Sequence, residues 1–260
     1  MLRLGVATRA ETFERMVDPL ADEGIAVEHV RSKERLFSLS DPDLPAVDVG
    51  FVYPSRVMEG GVVDAALDVP WVNGRDAILA SRNKAGVLAT LSRADLPVPQ
   101  TTMVSNPCST ADLEDAAAAL GFPLVVKPNS ATRGVGIARV DDPDSLFGVV
   151  DYLDAIHDFR ATGDRSYLLQ EYLPGARDYR AMVVDGAYAG AVERELDADA
   201  LAAGRWKHNV HRGATARGVD LDPRARDLAE RAAAALGIDY LDLRSVWGTN
   251  VLELDPDELA

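Results

Sequence analysis

Short runs of branched and aromatic residues alternate along this chain with longer stretches whose apolar positions recur every three or four residues. That alternation is the mark of an α/β protein. Residues 2–7 read as a strand, followed by a helix to about Glu23 that Gly24 stops. Residues 25–30, 47–52 and 70–73 read as further strands, with a helix over 61–67 between the last two. The first ~75 residues are therefore expected to form a small parallel sheet of the doubly wound kind.

A helix over 84–94 comes next, and then Pro97-Val98-Pro99-Gln100-Thr101-Thr102, where two prolines forbid helix and suggest a domain boundary. Residues 110–120 read as a helix capped by Thr110 and stopped by Gly121. Strands are expected over 123–128, 137–140 and 167–171, with a helix over 144–154. Residues 180–184 and 187–193 suit a hairpin turning at Asp185-Gly186. A helix over 223–236 ends at Gly237, and residues 240–243 and 250–254 are expected to pair as a last hairpin.

Charge changes the picture more than size does. The 260 residues carry 42 acids against 27 bases, a formal net charge of −15. A polyanion would meet a repulsive surface, so nonspecific nucleic-acid binding is disfavoured. The sequence has no apolar run of about 18 residues, and so no candidate membrane span. Its single cysteine, Cys108, excludes a disulfide framework and a cysteine-based zinc site. The four histidines (His29, His157, His208 and His211) have no metal-ligand spacing with another ligand type. The amino terminus reads as a strand, not a signal peptide, and a cytoplasmic protein is expected.

Only four lysines occur (Lys33, Lys84, Lys127 and Lys207), against 23 arginines and 29 aspartates. Asp-rich, Lys-poor composition suits solubility in concentrated salt, as in a halophilic archaeon; a GC-rich genome is the bland alternative, but composition bias alone would not skew the charge this far. In such a chain each retained lysine draws attention.

The most informative segment is Pro123-Leu124-Val125-Val126-Lys127-Pro128-Asn129-Ser130-Ala131-Thr132-Arg133-Gly134-Val135-Gly136. A strand delivers one lysine into a loop of small residues whose backbone amides can bind phosphate oxygens. It is not a Walker loop, because no Gly-Lys-Ser/Thr opens a helix. Nor is it a dinucleotide fingerprint, because its glycines lead into a strand. Alone, a Gly-x-Gly hairpin is also how an ordinary turn is made, so its meaning depends on what accompanies it.

What accompanies it resembles the ATP-grasp fold and, within it, the RimK-like glutamate ligases. The likeness rests on Asn83-Lys84 with Leu96-Pro97-Val98-Pro99-Gln100-Thr101, on the Lys127 loop, and on Leu169-Gln170-Glu171-Tyr172-Leu173 followed by Asp178-Tyr179-Arg180. It continues in Trp206-Lys207-His208-Asn209-Val210-His211-Arg212-Gly213 and in Asp242-Leu243-Arg244-Ser245 with Val251-Leu252-Glu253-Leu254-Asp255.

The resemblance implies that Lys84, Lys127 and the loop residues Thr132, Arg133, Gly134 and Gly136 contact the phosphates of ATP. For either lysine the plain alternative is a solvated surface side chain. Glu171, Tyr172 and Leu173 would offer backbone to the adenine edge, with side-chain identity of little account. Asp178 would accept from the ribose hydroxyls, and Lys207 and His208 would touch the nucleotide. Arg180, Asn209 and Arg212 would serve the reaction centre, stabilising a phosphoryl group in transfer. His211 reads as a hydrogen-bonding scaffold more readily than as an acid or base.

Asp242, Glu253 and Asp255 fall on strands expected to pair, where three carboxylates repel unless a hard cation such as Mg2+ (or Mn2+) neutralises them. Solvated acids on an exposed hairpin are the plain alternative. Two departures accompany the likeness: Ala131 stands where the family tends to have glycine, and Asp255 where it usually has asparagine. The family's Pro-Gly turn and further helix beyond that point are also absent from residues 256–260.

The resemblance divides the chain into a pre-ATP-grasp substrate domain (1–83), a small ATP-grasp subdomain with the phosphate loop (84–165) and a C-terminal subdomain with the metal site (166–260). It implies an ATP- and Mg2+-dependent carboxylate–amine ligase acting through an acyl-phosphate. L-Glutamate would be added to a small-molecule, peptide or protein acceptor, by a homodimer or homotetramer. The alternatives are a ligase of another donor, of lysine-pathway or D-alanine type, and a catalytically degenerate nucleotide-binding module.

Overall fold

A computed structural model of the chain describes residues 1–7, 11–130, 135–156, 164–210, 213–238 and 240–241. Met1–Leu79 together with the described residues from Asp178 onward form one compact unit, and Ala80–Arg177 form the other. The expected α/β architecture is present, as three four-stranded sheets among the described residues.

The amino-terminal part builds a parallel sheet in the order β2-β1-β3-β4 from β1 (Leu2–Val6), β2 (Ile25–His29), β3 (Val49–Phe51) and β4 (Trp71–Val72). Side chains alternate across its faces. Leu4 and Val6 pack with Met16 of α1 (Glu11–Asp22). On the other face Val30 and Val47 pack with Val63 of α2 (Val57–Leu67). Covering both faces is what a parallel sheet requires, so the doubly wound reading of this segment holds. The helix begins at Val57, a turn earlier than its sequence pattern suggests. A further helix, α3 (Arg75–Arg82), was not legible from periodicity: it is eight residues long and has no buried side chain.

The second unit opens with α4 (Lys84–Arg93), whose cap Asn83 accepts from Gly86 N at 2.9 Å. Its sheet runs β5-β8-β6-β7, made of β5 (Thr101–Ser105), β6 (Leu124–Pro128), β7 (Ala138–Val140) and β8 (Ser166–Glu171). All its pairings are antiparallel. Against one face lie α5 (Thr110–Leu120) and α6 (Pro143–Ile156). Leu113, Leu124, Val126, Leu146, Tyr167 and Leu169 form the heart of that core. The cap of α5 is Ser109, not Thr110: Ser109 is extended and its Oγ accepts from Asp112 N at 3.1 Å, while Thr110 already lies inside the helix.

The third sheet, β11-β10-β9-β12, returns to the first unit. It is made of β9 (Asp178–Val184), β10 (Ala187–Glu195), β11 (Thr215–Val219) and the short β12 (Tyr240–Leu241), with α7 (Ala198–Ala202) between β10 and β11 and α8 (Pro223–Leu236) between β11 and β12 in the chain. The hairpin at Asp185-Gly186 forms as expected. Helix α8 starts with Asp222 as cap and Pro223 in its first turn, and ends at Gly237 with φ 62°. Strand β11 and helix α7 were not anticipated; β11, Thr-Ala-Arg-Gly-Val, has no clean alternation and is held by its register with β10. Only Tyr240–Leu241 of the expected last hairpin lies within the described residues.

Gly50 shows how closely the first sheet is fitted. A β-carbon there would lie 2.3 Å from the ring of its cross-strand partner Trp71. The ring is pinned by a 2.8 Å bond from Trp71 Nε1 to Asp64 Oδ1. We expect Gly50→Ala to cost about 1–3 kcal/mol in urea unfolding through overpacking. Gly61→Ala, in α2 with nothing within 4 Å, should be neutral or gain about 0.5–1 kcal/mol.

Candidate functional site

Cross-strand register sorts the β5-β8-β6-β7 sheet into a core face and a polar face. Leu124, Val126 and Leu169 point into the core, so Val125, Lys127 and Gln170 stand on the opposite side. Lys127 is only partly exposed, and its Nζ donates to Gln170 Oε1 at 2.8 Å. Burial lowers the lysine's pKa to about 8, and the charge of Lys84 adds to that effect.

Lys84 reaches the same neighbourhood from the first turn of α4, and its Nζ donates to Asn129 O at 2.9 Å. Burial depresses its proton affinity too, while Asp164 opposes that trend. Neither lysine is therefore the solvated surface cation that was the plain alternative. A helix that opens on a cation places it against the positive end of the helix dipole, which must be compensated locally.

The opposite charge acting on Lys84 is Asp164, and the helix start is held by Asn129, 7% exposed and two residues beyond Lys127. Asn129 Oδ1 accepts from Ala85 N at 2.9 Å. Its Nδ2 donates to Asn83 Oδ1 at 3.1 Å and to Ser166 Oγ at 3.0 Å. Ser166 Oγ in turn donates to Asp164 Oδ1. One amide thus joins the strand of Lys127, the helix of Lys84 and the start of β8. Asn129 and Gln170 stand within the motifs quoted from the sequence, which gave neither of them a role; the Asn129 carbonyl holds Lys84 and the Gln170 side chain holds Lys127. The available signal was a polar residue next to, or within, an otherwise apolar strand.

Gly136, at the end of the loop, has φ 73°, and a β-carbon there would lie 2.7 Å from Pro128 Cγ, so glycine is required. Thr132, Arg133 and Gly134 lie outside the described residues. At the end of β8 the side chains bond within the protein. Glu171 accepts from Gln100 N through Oε1 at 2.7 Å, besides their backbone bond, and Gln170 holds Lys127. Tyr172 lies under the Arg139 guanidinium, 5.4 Å from ring centroid to Cζ, and Leu173 is half-exposed.

In the first unit, Asp178 and Arg194 are direct cross-strand partners on β9 and β10. The guanidinium donates to Asp178 Oδ1 from Nε at 3.1 Å and from Nη2 at 2.6 Å. The carboxylate expected to accept from ribose is thus already ion-paired, with its remaining lone pairs as acceptor capacity. Arg180, two residues along β9, shares the face of Asp178. His208 Nδ1 lies 2.8 Å from Arg194 O, which orients the imidazole. Lys207 Nζ lies 5.4 Å from the Trp206 ring centroid, and Asn209 O accepts from Ala214 N at 3.3 Å.

Arg212 and the proposed metal ligands Asp242, Glu253 and Asp255 lie outside the described residues, as does His211. Among the described residues no group of three His, Cys, Asp or Glu side chains is disposed to hold a metal ion. No described helix is long and apolar enough to cross a membrane.

The Lys127 environment has a measurable consequence. Its ammonium is charged below a pH of about 8 and lost above it, well short of an unhindered lysine. With Lys127 read as a phosphate ligand, tripolyphosphate affinity should fall as pH rises through about 8. The always-charged variant Lys127→Arg should flatten that fall, as isothermal calorimetry at several pH values would test. Unfolding in urea supplies a second check. The unfolded chain binds more protons than the folded one between the two pKa values, so this lysine makes stability rise with pH across that window.

Residues 81–255 match the family profile described as the RimK-like ATP-grasp domain. A protein of Enterobacter sp. (strain 638) named "Probable alpha-L-glutamate ligase" is 32% identical over 189 residues, which is 71% of this chain and 58% of that protein. A Salmonella paratyphi B protein named "Ribosomal protein bS6–L-glutamate ligase" is 31% identical over 189 residues, with the same 71% and 58% coverage. The chain thus spans less than two thirds of the length of these curated relatives. The crystal structure of a RimK-domain ATP-grasp protein from Sphaerobacter thermophilus matches with a TM-score of 0.68 at 22% identity, over 91% of this chain and 83% of that one. That likeness establishes the ATP-grasp fold. With the family profile covering well over half of its residues, the chain belongs to the RimK-like ATP-grasp family.

Proposed function

We propose that the chain is an ATP-dependent carboxylate–amine ligase that joins L-glutamate to a small-molecule, peptide or protein acceptor. The observation that carries this reading is the pair of half-buried lysines, Lys84 and Lys127, brought into electrostatic reach of each other in a chain of net charge −15. Two neighbouring cations are costly to bury, and an anion of several charges bound beside them would offset that cost. Relatives named as glutamate ligases support the choice of donor.

On this reading Lys84 and Lys127 neutralise phosphate charge, with Thr132, Arg133, Gly134 and Gly136 supplying loop contacts. Glu171, Tyr172 and Leu173 flank the base; Asp178, Lys207 and His208 complete the nucleotide contacts. Arg180, Asn209 and Arg212 face the reacting carboxyl group. The oxygen-only donor set of Asp242, Glu253 and Asp255 suits Mg2+ (or Mn2+), which when bound would screen the phosphate charge.

The chemistry needs no protein nucleophile. The γ-phosphoryl group passes to an oxygen of the acceptor carboxylate, and ADP leaves. The glutamate amine then attacks the acyl carbon, the C–O bond to phosphate breaks with its electron pair, and the ammonium proton passes to solvent. The sum is carboxylate plus amine plus ATP giving amide, ADP and inorganic phosphate. Positioning and fixed positive charge are the whole of the protein's contribution.

The test is ADP release from Mg-ATP in multimolar KCl with glutamate, with and without a desalted small-molecule extract. Release that requires both glutamate and extract is the expected result. Release that ignores glutamate keeps a ligase but sinks the donor. Silence from a folded, ATP-binding protein favours a protein acceptor or a nucleotide-binding module. Asp242→Ala and Lys127→Ala should each lower turnover at least ~100-fold, whereas a module that only binds nucleotide would lose affinity and have no turnover to lose.

A further inference from the structure

Three adjacent strands of the second unit place a threonine, a glutamine and a lysine on one face. Thr101 of β5 is directly opposite Gln170 of β8, which is directly opposite Val125 of β6. Lys127 follows Val125 by two residues and so shares its face. The hydrogen bonds among these side chains run in one direction. Thr101 Oγ1 donates to Pro99 O at 2.9 Å, so its only hydrogen is committed and lone pairs face Gln170. Gln170 Nε2 donates into them at 2.7 Å. The two ends of a glutamine amide cannot be told apart by shape alone, but here the threonine decides. The NH2 group must face Thr101, and the amide oxygen must then face Lys127, whose Nζ donates to it at 2.8 Å.

We propose that Gln170, oriented by Thr101, is the positioning residue for Lys127: an uncharged acceptor that fixes the ammonium in place without neutralising it. The inference rests on the reading of Lys127 as a phosphate-binding group, and it deepens that reading. A lysine stem has four rotatable carbons and a head with three donors, so an unguided ammonium samples many positions. A carboxylate would guide it more strongly, but would form an ion pair that an incoming phosphate must break. Among the described residues no carboxylate pairs with Lys127. Glu171, next in the chain, is turned away onto Gln100 N. The charged neighbour acting on Lys127 is Lys84 of α4, with Asp164 acting on Lys84. Gln170 therefore leaves the whole positive charge available to a ligand.

The experiment reads Lys127 directly, on the full chain without nucleotide. Competitive amine labelling from about pH 6 to about pH 11, quantified at Lys127 by mass spectrometry, gives the midpoint of its titration. Gln170→Glu supplies the charge that the native site lacks, and should move the midpoint up by about one pH unit or more. Gln170→Leu removes the acceptor, and should move it down. Thr101→Val frees the amide to turn, and should move it in the direction of Gln170→Leu by a smaller amount. Mg-ATP affinity, by calorimetry at pH 7, should fall at least about tenfold in Gln170→Glu, because the new ion pair competes with phosphate.

Shifts of opposite sign for Glu and Leu are what positioning predicts, because general loosening would move both the same way. Equal midpoints in wild type, Gln170→Glu and Thr101→Val, or two shifts of one sign in folded proteins, would overturn the proposal. If wild type fails to bind Mg-ATP, the nucleotide reading falls, while the labelling curves still decide the role of Gln170.

Discussion

Asn129 follows two residues after Lys127, and its amide is used at both ends while its backbone carbonyl takes the ammonium of Lys84. A buried amide of this kind is costly unless every group is satisfied, and once satisfied it admits one arrangement. That arrangement sets where β6, α4 and β8 meet, and with them the two lysines. The cap of α4 and the orientation of Ser166 both depend on it. The constraint is steric and directional, since a hydrogen bond weakens steeply when its geometry departs from linear.

The antiparallel sheet of the second unit converts that constraint into a site. Its core face carries Leu124, Val126, Tyr167 and Leu169, which pack under α5 and α6 and make the strands rigid. Its other face carries Thr101, Gln170 and Lys127 in cross-strand order. Rigid backbone on one side lets side chains on the other be held in fixed positions. The first unit shows the same economy: Asp178 and Arg194 are fixed as a direct pair on β9 and β10, and Arg194 O orients His208.

Lysine is scarce in this chain, and the two lysines of this site are both partly withdrawn from water. In an acidic protein that selection has a physical sense. Interactions between exposed charges are screened by salt, whereas charges partly withdrawn from water are screened much less. Arg217 marks the contrast. Its guanidinium is exposed, yet it bonds the buried Glu193 at 3.2 Å, which makes it a structural cation.

Much of this was legible in the residues themselves. Alternation and glycine stops placed the parallel sheet, α5, α8 and the β9–β10 hairpin, because those features depend on local chemistry that a linear sequence records. The family's motifs singled out Lys84, Lys127 and Asp178 for the same reason: side-chain type and spacing are written in the chain. Local reading failed where partners come from elsewhere. Strand β11 exists because β10 offers it hydrogen bonds. Only the tertiary structure decided that Lys127 is held by Gln170, that Lys84 is anchored on Asn129, and that Asp178 is paired with Arg194. Each of those bonds joins residues far apart in sequence, and its existence depends on register and distance, quantities that a string of residue types does not contain.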